Sequence, residues 1–478
     1  MRSHGASLVR ASAALALATA AGAADRPGAE PFDEALARGA REPLEAIVRA
    51  YQATEPPAPL DAAQVGVVAA WEIARDAGTH GVARYEALAA TPGDPKRALL
   101  RAICERVLEL ALIDPDVETR KTVVEEIEAT ELALFIEPLD RVVEQDTIKD
   151  VRGAASHAIR RIGGRKARAT LRANLRHADP EVRKLAADEL ARMNDLSALR
   201  YLRREARTGT RDDKLWAVVQ LGRLGDPTAF TVADALIQDP EEWYRVELVQ
   251  TLDKYDDPRT IPVLRIGLED PSPDVRLISA GALADLDDAT GLPVLREMAR
   301  SRHNTQRTKA FDKLAELDDR ASIPLIREAL ADSSELVRDQ AAAALEKLGD
   351  PEGRAYVTKK RGALGSLGAL AGALLAGRRG VPDQPPPPPP EATIEARTAD
   401  KYERAQSIRT LSEMGSAGLA GLRTGLADPD PLVRRLAARG IGKTGRAADV
   451  AQLVPLLGDP QRAVRFASAG AILTLLAR

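Results

Sequence analysis

Apolar residues in this chain recur in short helical stripes separated by charged turns. Val275, Ile278, Ala282 and Leu283 fall at the 3.6-residue spacing of one helix face, and Asp285-Leu-Asp-Asp288 ends the stripe. A second stripe opens at Leu292-Pro-Val-Leu and runs for about ten residues. The same pair of stripes accompanies the phrases Asp179-Pro-Glu-Val-Arg, Asp270-Pro-Ser-Pro-Asp-Val-Arg and Asp428-Pro-Asp-Pro-Leu-Val-Arg-Arg. Anchored on their arginine, the repeat aligns Arg120, Arg152, Arg183, Lys214, Arg245, Arg276, Arg307, Arg338, Arg404, Arg434 and Arg465. The steps are 30 to 32 residues, apart from one of 66. Seven positions after every anchor stands Leu or Ile, from Ile127 to Ile472, in all eleven units. A fixed period of this length is the mark of stacked repeats.

Each unit reads as two helices. A side chain able to cap a helix stands four residues before the anchor at Asp116, Asp179, Thr210, Ser272, Ser334, Asp400 and Asp430. Pro180, Pro273 and Pro431 follow at the first helical position, where a missing N–H costs nothing. Second helices start at Ile261-Pro-Val-Leu or Ile323-Pro-Leu-Ile after turns such as Gly225-Asp-Pro227. One pair cannot bury both stripes, but a stack of pairs can. The pattern predicts an all-α fold: an α-solenoid, a superhelical stack of antiparallel helix pairs.

The chain divides into five stretches. Residues 1–24 carry Arg2 and Arg10, no acid, an apolar run from Ala11 and the small-residue end Ala21-Gly-Ala-Ala24. That order predicts a secretory signal peptide and a periplasmic or secreted protein. The alternative is an Ala-rich tail on a cytoplasmic chain. Residues 25–95 are helical in pattern (Glu34–Gln52, Ala62–Ala77, Val82–Ala90) but out of register, and are expected to be a cap or degenerate repeats. Repeats fill 96–361 and 394–478. Between them, 362–393 holds a Gly/Ala/Leu run and six prolines, Pro385 to Pro390, an extended spacer by composition. The apolar run is too short to span a bilayer, and membrane contact is not expected.

The D-P-x-x-x-V-R phrase, the I-P-x-L start and the L-G-D-P turn resemble the HEAT-repeat superfamily, specifically the short-period repeats first associated with phycobilin lyases. The resemblance covers Lys96 to Arg478 less the insertion. It implies an α-solenoid in which the six-residue Asp–Arg spacing (Asp114/Arg120, Asp239/Arg245, Asp428/Arg434) forms a ladder between neighbouring repeats. It implies no reaction, since relatives include scaffolds, lyases, hydroxylases and base-excising enzymes.

Composition narrows the chemistry. Aromatics are 3% of the chain, too few for single-stranded nucleic-acid stacking platforms. The net charge of −3 gives no field to draw a polyanion, so no nucleic-acid partner is expected. Cys104 is alone, and His4, His80, His157, His177 and His303 have no metal spacing. The His–Glu pairs with which HEAT-like hydroxylases hold iron are missing. Gly442-Lys443-Thr444 fits a loose phosphate-loop pattern, but it ends a repeat helix with Ile441 in the core slot. No catalytic residue, metal site or cofactor is assigned.

The expected function is therefore an exported, non-enzymatic scaffold for an unidentified protein partner; the alternative is a lyase-like or other enzyme using the concave groove. Arg172, Arg203, Arg265, Arg296 and Arg327 stand in one second-helix slot, with Asp234 as the exception and Arg423 resuming after the insertion. This column is the candidate groove for an acidic segment. Trp216 and Trp243 lie in an aromatic-rich stretch, Tyr201–Tyr255, and are candidate contacts. The last unit ends after one helix with Leu473, Leu475 and Leu476 apolar, so self-association through that edge is a further expectation.

Overall fold

The computed structural model describes residues 30–38, 41–52, 62–75, 78–89, 95–360 and 401–478, and every regular element among them is helical. The expected signal peptide, the insertion 362–393 and the Asp400 cap lie outside the described residues. Two compact units form: Met1–Glu189 with Pro387–Arg478, and Leu190–Pro386.

The second unit shows the repeat plainly. Ser272 sits in extended backbone and accepts a hydrogen bond from Val275 N–H, with Pro273 behind it at the first helical position. Helix Pro273–Asp285 buries Val275, Ala282 and Leu283. Asp287 then turns the chain with a φ of 58°. Asp288 accepts from Thr290 N–H at 2.9 Å, and the return helix Leu292–Met298 begins. Helix pairs built this way are stacked along the unit as an α-solenoid.

The left-handed residue recurs in register. It is Asn194, Gly225, Asp256, Asp287, Asp318 and Gly349 in the second unit, and Glu131, Gly163 and Gly415 in the first. A full side chain there costs roughly 1 kcal/mol, which glycine avoids and Asn or Asp partly offsets with a short polar group. The pairs Asp256-Asp257, Asp287-Asp288 and Asp318-Asp319 are thus two devices side by side. The first aspartate makes the turn. The second lies at the N-terminus of the turn into the return helix.

All eleven Leu and Ile at the fixed offset are buried, none more than 5% exposed. Burial of each contributes about 1.5–3 kcal/mol, so the repeated slot holds the stack together. Alanines such as Ala280, Ala310 and Ala341 are also buried, and let the helices approach without aromatic filler.

The first unit joins the two ends of the chain. Its N-terminal helices are Glu30–Ala37, Arg41–Gln52, Ala62–Ala74 and Gly78–Ala89, so the expected helix Glu34–Gln52 is two helices rather than one. The C-terminal helix Arg462–Ala477 packs on Pro95–Leu112 and Val117–Thr130. Arg97 donates to the Leu476 carbonyl at 2.8 Å, and Leu473 and Leu475 are buried. This corrects the expectation that the apolar C-terminal edge awaits a second copy. Helices Pro95–Leu112 and Val117–Thr130 of the same unit cover it.

Candidate functional site

An inner ladder of ion pairs runs along the first helices of the repeats. Arg120, Arg245, Arg307 and Arg434 each donate backward to the carbonyl six residues earlier and forward to an aspartate of the next repeat. Arg245 Nη1 reaches the Asp239 carbonyl at 2.8 Å, while Nε and Nη2 take both oxygens of Asp270 at 2.7 and 2.9 Å. Asp270 also accepts from Ser272 N–H at 2.8 Å. Arg120–Asp146, Arg152–Asp179, Arg307–Asp332, Arg404–Asp428 and Arg434–Asp459 pair the same way. Burial alone would raise the Asp270 carboxyl; the bond from Arg245, the Ser272 N–H and the nearby charges overcome it and hold it below the usual range.

The candidate arginine column forms a second, outer ladder. Arg203 pairs with Asp226, Arg265 with Asp288, Arg296 with Asp319, and Arg327 with Asp350, each 23 residues on; Arg423 pairs with Asp449. The aspartates are those that open the return helices, so Asp226, Asp288 and Asp350 each cap their own repeat and neutralise the previous one, while Asp319 accepts from the Ser322 hydroxyl. The bond from Arg327 is the main reason the Asp350 carboxyl lies low. Asp234 interrupts the column, and the aspartate 23 residues beyond it, Asp257, takes Arg259 from its own turn at 2.6 Å instead. The column read as a candidate groove for an acidic segment is thus matched carboxylate for guanidinium from Arg265 to Arg327. Arg172 is exposed on helix Gly164–Asn174 of the first unit.

The aromatic stretch resolves mostly into packing. Tyr201 meets Trp216 edge-on at 6.3 Å, and Trp216 is half-buried. Tyr255 donates to the Val218 carbonyl at 2.8 Å. Tyr244, in the slot that holds Val275 one repeat later, is only half-buried and donates from its hydroxyl to Asp212 at 2.5 Å. Trp243 stands against Tyr244 with ring centroids 4.8 Å apart and is 59% exposed.

A cleft of about 270 Å³ in the first unit is lined by Leu36, Glu109, Asp114, Arg120, Arg141 and Asp146 among others. Its charges are matched: Arg141 pairs with Glu109 at 3.4 Å, and Arg120 with Asp146. Burial pushes the Glu109 carboxyl up despite Arg141. Cys104 is buried, and desolvation pushes its thiol up, away from the thiolate a nucleophile needs. Among the described residues no three His, Cys, Asp or Glu side chains are grouped to hold a metal ion.

The family model for HEAT repeats matches residues 136–222, 231–311 and 390–473, just over half of the chain. The chain belongs to the HEAT-repeat family. Three solved structures illustrate what it is similar to. The CpcE–CpcF complex of phycocyanin lyase from Nostoc is 19% identical, over 53% of this chain and 88% of that one, with a TM-score of 0.25. Human deoxyhypusine hydroxylase in complex with glycerol is 19% identical, over 60% and 99%, with a TM-score of 0.24. The Kap121p structure is 14% identical, over 97% and 59%, with a TM-score of 0.37. At TM-scores this low the likenesses say nothing about activity or partners. No curated protein sequence matches this HEAT-repeat chain.

Sequence reading missed the aspartates of the outer ladder. The signal was present: an Asp stands 23 residues after Arg203, Arg265, Arg296 and Arg327, and that regularity marks pairing between neighbouring repeats.

Proposed function

We propose that this HEAT-repeat chain is an exported, non-enzymatic scaffold that binds other proteins. Trp243 carries the reading. A tryptophan left 59% exposed keeps a large apolar surface in water, and such side chains are favoured where a partner later covers them. It stands at the start of a rigid helix, Glu242–Asp253, and is braced by Tyr244, so little ordering is required on binding. The matched charges of the cleft support a non-enzymatic role, and residues 1–24 support export.

The test compares the chain with its Trp243→Ala variant, each purified from the native host. The variant is expected to keep its helicity and lose a bound protein identified by mass spectrometry. Equal recovery by both chains overturns the site. N-terminal mass measurement of the same material is expected to give a start at or near Ala24 or Asp25, and an intact Met1 overturns export.

A further inference from the structure

Within a chain of net charge −3, residues 151–178 contain eight arginines and lysines and no acid. Five of the eight are held in place or bonded to other groups. Arg152 pairs with Asp179, Arg160 with Glu189, Arg161 with Glu128 and Lys166 with Glu137, while Arg172 has interactions of its own. Arg165, Arg168 and Arg176 are exposed and form no ion pair among the described residues. On helix Gly164–Asn174, at 3.6 residues per turn, positions 165, 168 and 172 fall on one face within an arc of about 60°, and Arg176 follows in the turn after the helix. The helical part of this face extends about 10 Å along the axis, with steps of about 4.5–6 Å between Arg165, Arg168 and Arg172. Ala169 and Ala173 are exposed beside it, so no bulky side chain shields the arginines.

This strip differs from the outer ladder. There each guanidinium has a carboxylate from the next repeat; here the nearby carboxylates Glu128, Glu137 and Glu189 are engaged by other basic groups. Glu144 faces His177 at 3.7 Å, and Asp140 accepts from Asn174 at 2.6 Å. We propose that the Arg165–Arg168–Arg176 strip on helix Gly164–Asn174 and the turn after it is a docking surface for a Glu/Asp-rich segment of a partner protein. Carboxylates at every second position of an extended segment, about 6.6 Å apart, lie within reach of the long Arg165 and Arg168 side chains, about 4.5 Å apart along the axis, and accept bidentate bonds. A nucleic acid offers the same charge, but residues 151–178 contain no Phe, Tyr or Trp on which bases could stack. The inference goes beyond the reading above, since it holds even if Trp243 binds nothing.

Fluorescence anisotropy with the full chain tests it, using a labelled oligoglutamate peptide, the matching oligoglutamine peptide and an oligothymidylate of equal charge. The glutamate peptide is expected to bind at low ionic strength and weaken as salt rises, and the glutamine peptide not to bind. The triple variant Arg165→Gln, Arg168→Gln and Arg176→Gln is expected to lose at least about tenfold in affinity with unchanged helicity and melting. Arg327→Gln, whose guanidinium is already matched, and Trp243→Ala are expected to bind the peptide as the parent does. Full binding by the triple variant, equal binding of the glutamine peptide, or tighter binding of the oligothymidylate overturns the proposal. Loss of a native partner by Trp243→Ala with peptide binding intact separates this surface from the first.

Discussion

Glu126 accepts a hydrogen bond from Arg435 at 2.5 Å across 309 positions of sequence. Arg439 reaches its other oxygen at 2.6 Å, and the Glu126 side chain is 1% exposed. One buried carboxylate therefore answers two guanidinium groups where the C-terminal repeats meet the N-terminal helices. Glu125 adds an outer contact to Arg435 at 2.8 Å but is mostly in water.

Removing Glu126 leaves two partly buried cations facing each other. Breaking a buried pair from one side costs roughly 3–5 kcal/mol, and Glu125 offsets some of it. Glu126→Gln is expected to lower stability by about 3 kcal/mol in urea unfolding, and Glu125→Gln by less than about 1 kcal/mol. Equal shifts for the two would mean that closure rests on apolar packing alone.

The two ladders make an internal comparison. Asp270 and Arg245 have side chains 4% and 9% exposed, whereas Arg265 is 53% exposed against Asp288. Asp270→Ala strands a buried guanidinium and the Ser272 N–H, and is expected to cost about 3 kcal/mol or more. Arg265→Ala leaves Asp288 with its cap and access to water, and is expected to cost less than about 1 kcal/mol. Denaturant midpoints of the two variants check the order. A larger loss for Arg265→Ala would reverse the assignment of inner and outer roles.

The repeat, its caps at Asp116, Thr210, Ser272 and Asp430, and its buried Leu/Ile column were legible because each depends on residues close in sequence; Ser334, expected to cap, makes no side-chain cap bond. Ile127 to Ile472 share a local helix geometry, and the 31-residue period samples it many times. The neutrality of the arginine column was less legible, because Arg265 and Asp288 meet only after two helices pack. Closure of the ends was illegible. Nothing local to Leu475 distinguishes an edge that another chain covers from one that Pro95–Leu112 covers. Asp234 shows the same limit: as a break in the column it looks like an exception, and its compensation by Arg259 appears only once Asp257 is seen to need a cation.

The ladder sets the acid limit of the fold. Asp179 is held low chiefly by the bond from Arg152, and Asp350 by that from Arg327. Asp226, Asp288, Asp319 and Asp449 are raised by burial but held low on balance by their arginines and backbone N–H groups. A carboxyl lowered on folding binds fewer protons folded than unfolded near the ordinary value of 3.8. Its contribution is complete above that value and is lost as pH falls through the lower folded one. Glu109, Asp140 and Asp253, raised by burial, act in the opposite sense but are fewer. The melting temperature is expected to be nearly flat from about pH 7 to 5 and to fall steeply below about pH 4. Stability that rises on acidification below pH 4 would mean that the carboxyls raised by burial outweigh the ladder.

Gly442 decides between the two readings of Gly442-Lys443-Thr444. The segment lies in the unbroken helix Pro431–Thr444, and Gly442 is buried against helix Arg462–Ala477. A Cβ there would stand 2.9 Å from the Cα and Cβ of Ala471. Replacing glycine with alanine inside a helix gains about 1 kcal/mol in propensity. Forcing a methyl into this contact costs typically 1–3 kcal/mol, because backbone Cα atoms cannot rotate aside as a flexible side chain can. Packing is expected to win: Gly442→Ala should be destabilised by about 1 kcal/mol, and Gly442→Val by more, since a β-branched side chain cannot swing clear. Urea unfolding of the two variants measures the difference. A more stable Gly442→Ala chain would show that the helices slide apart freely and that glycine is not required for this contact.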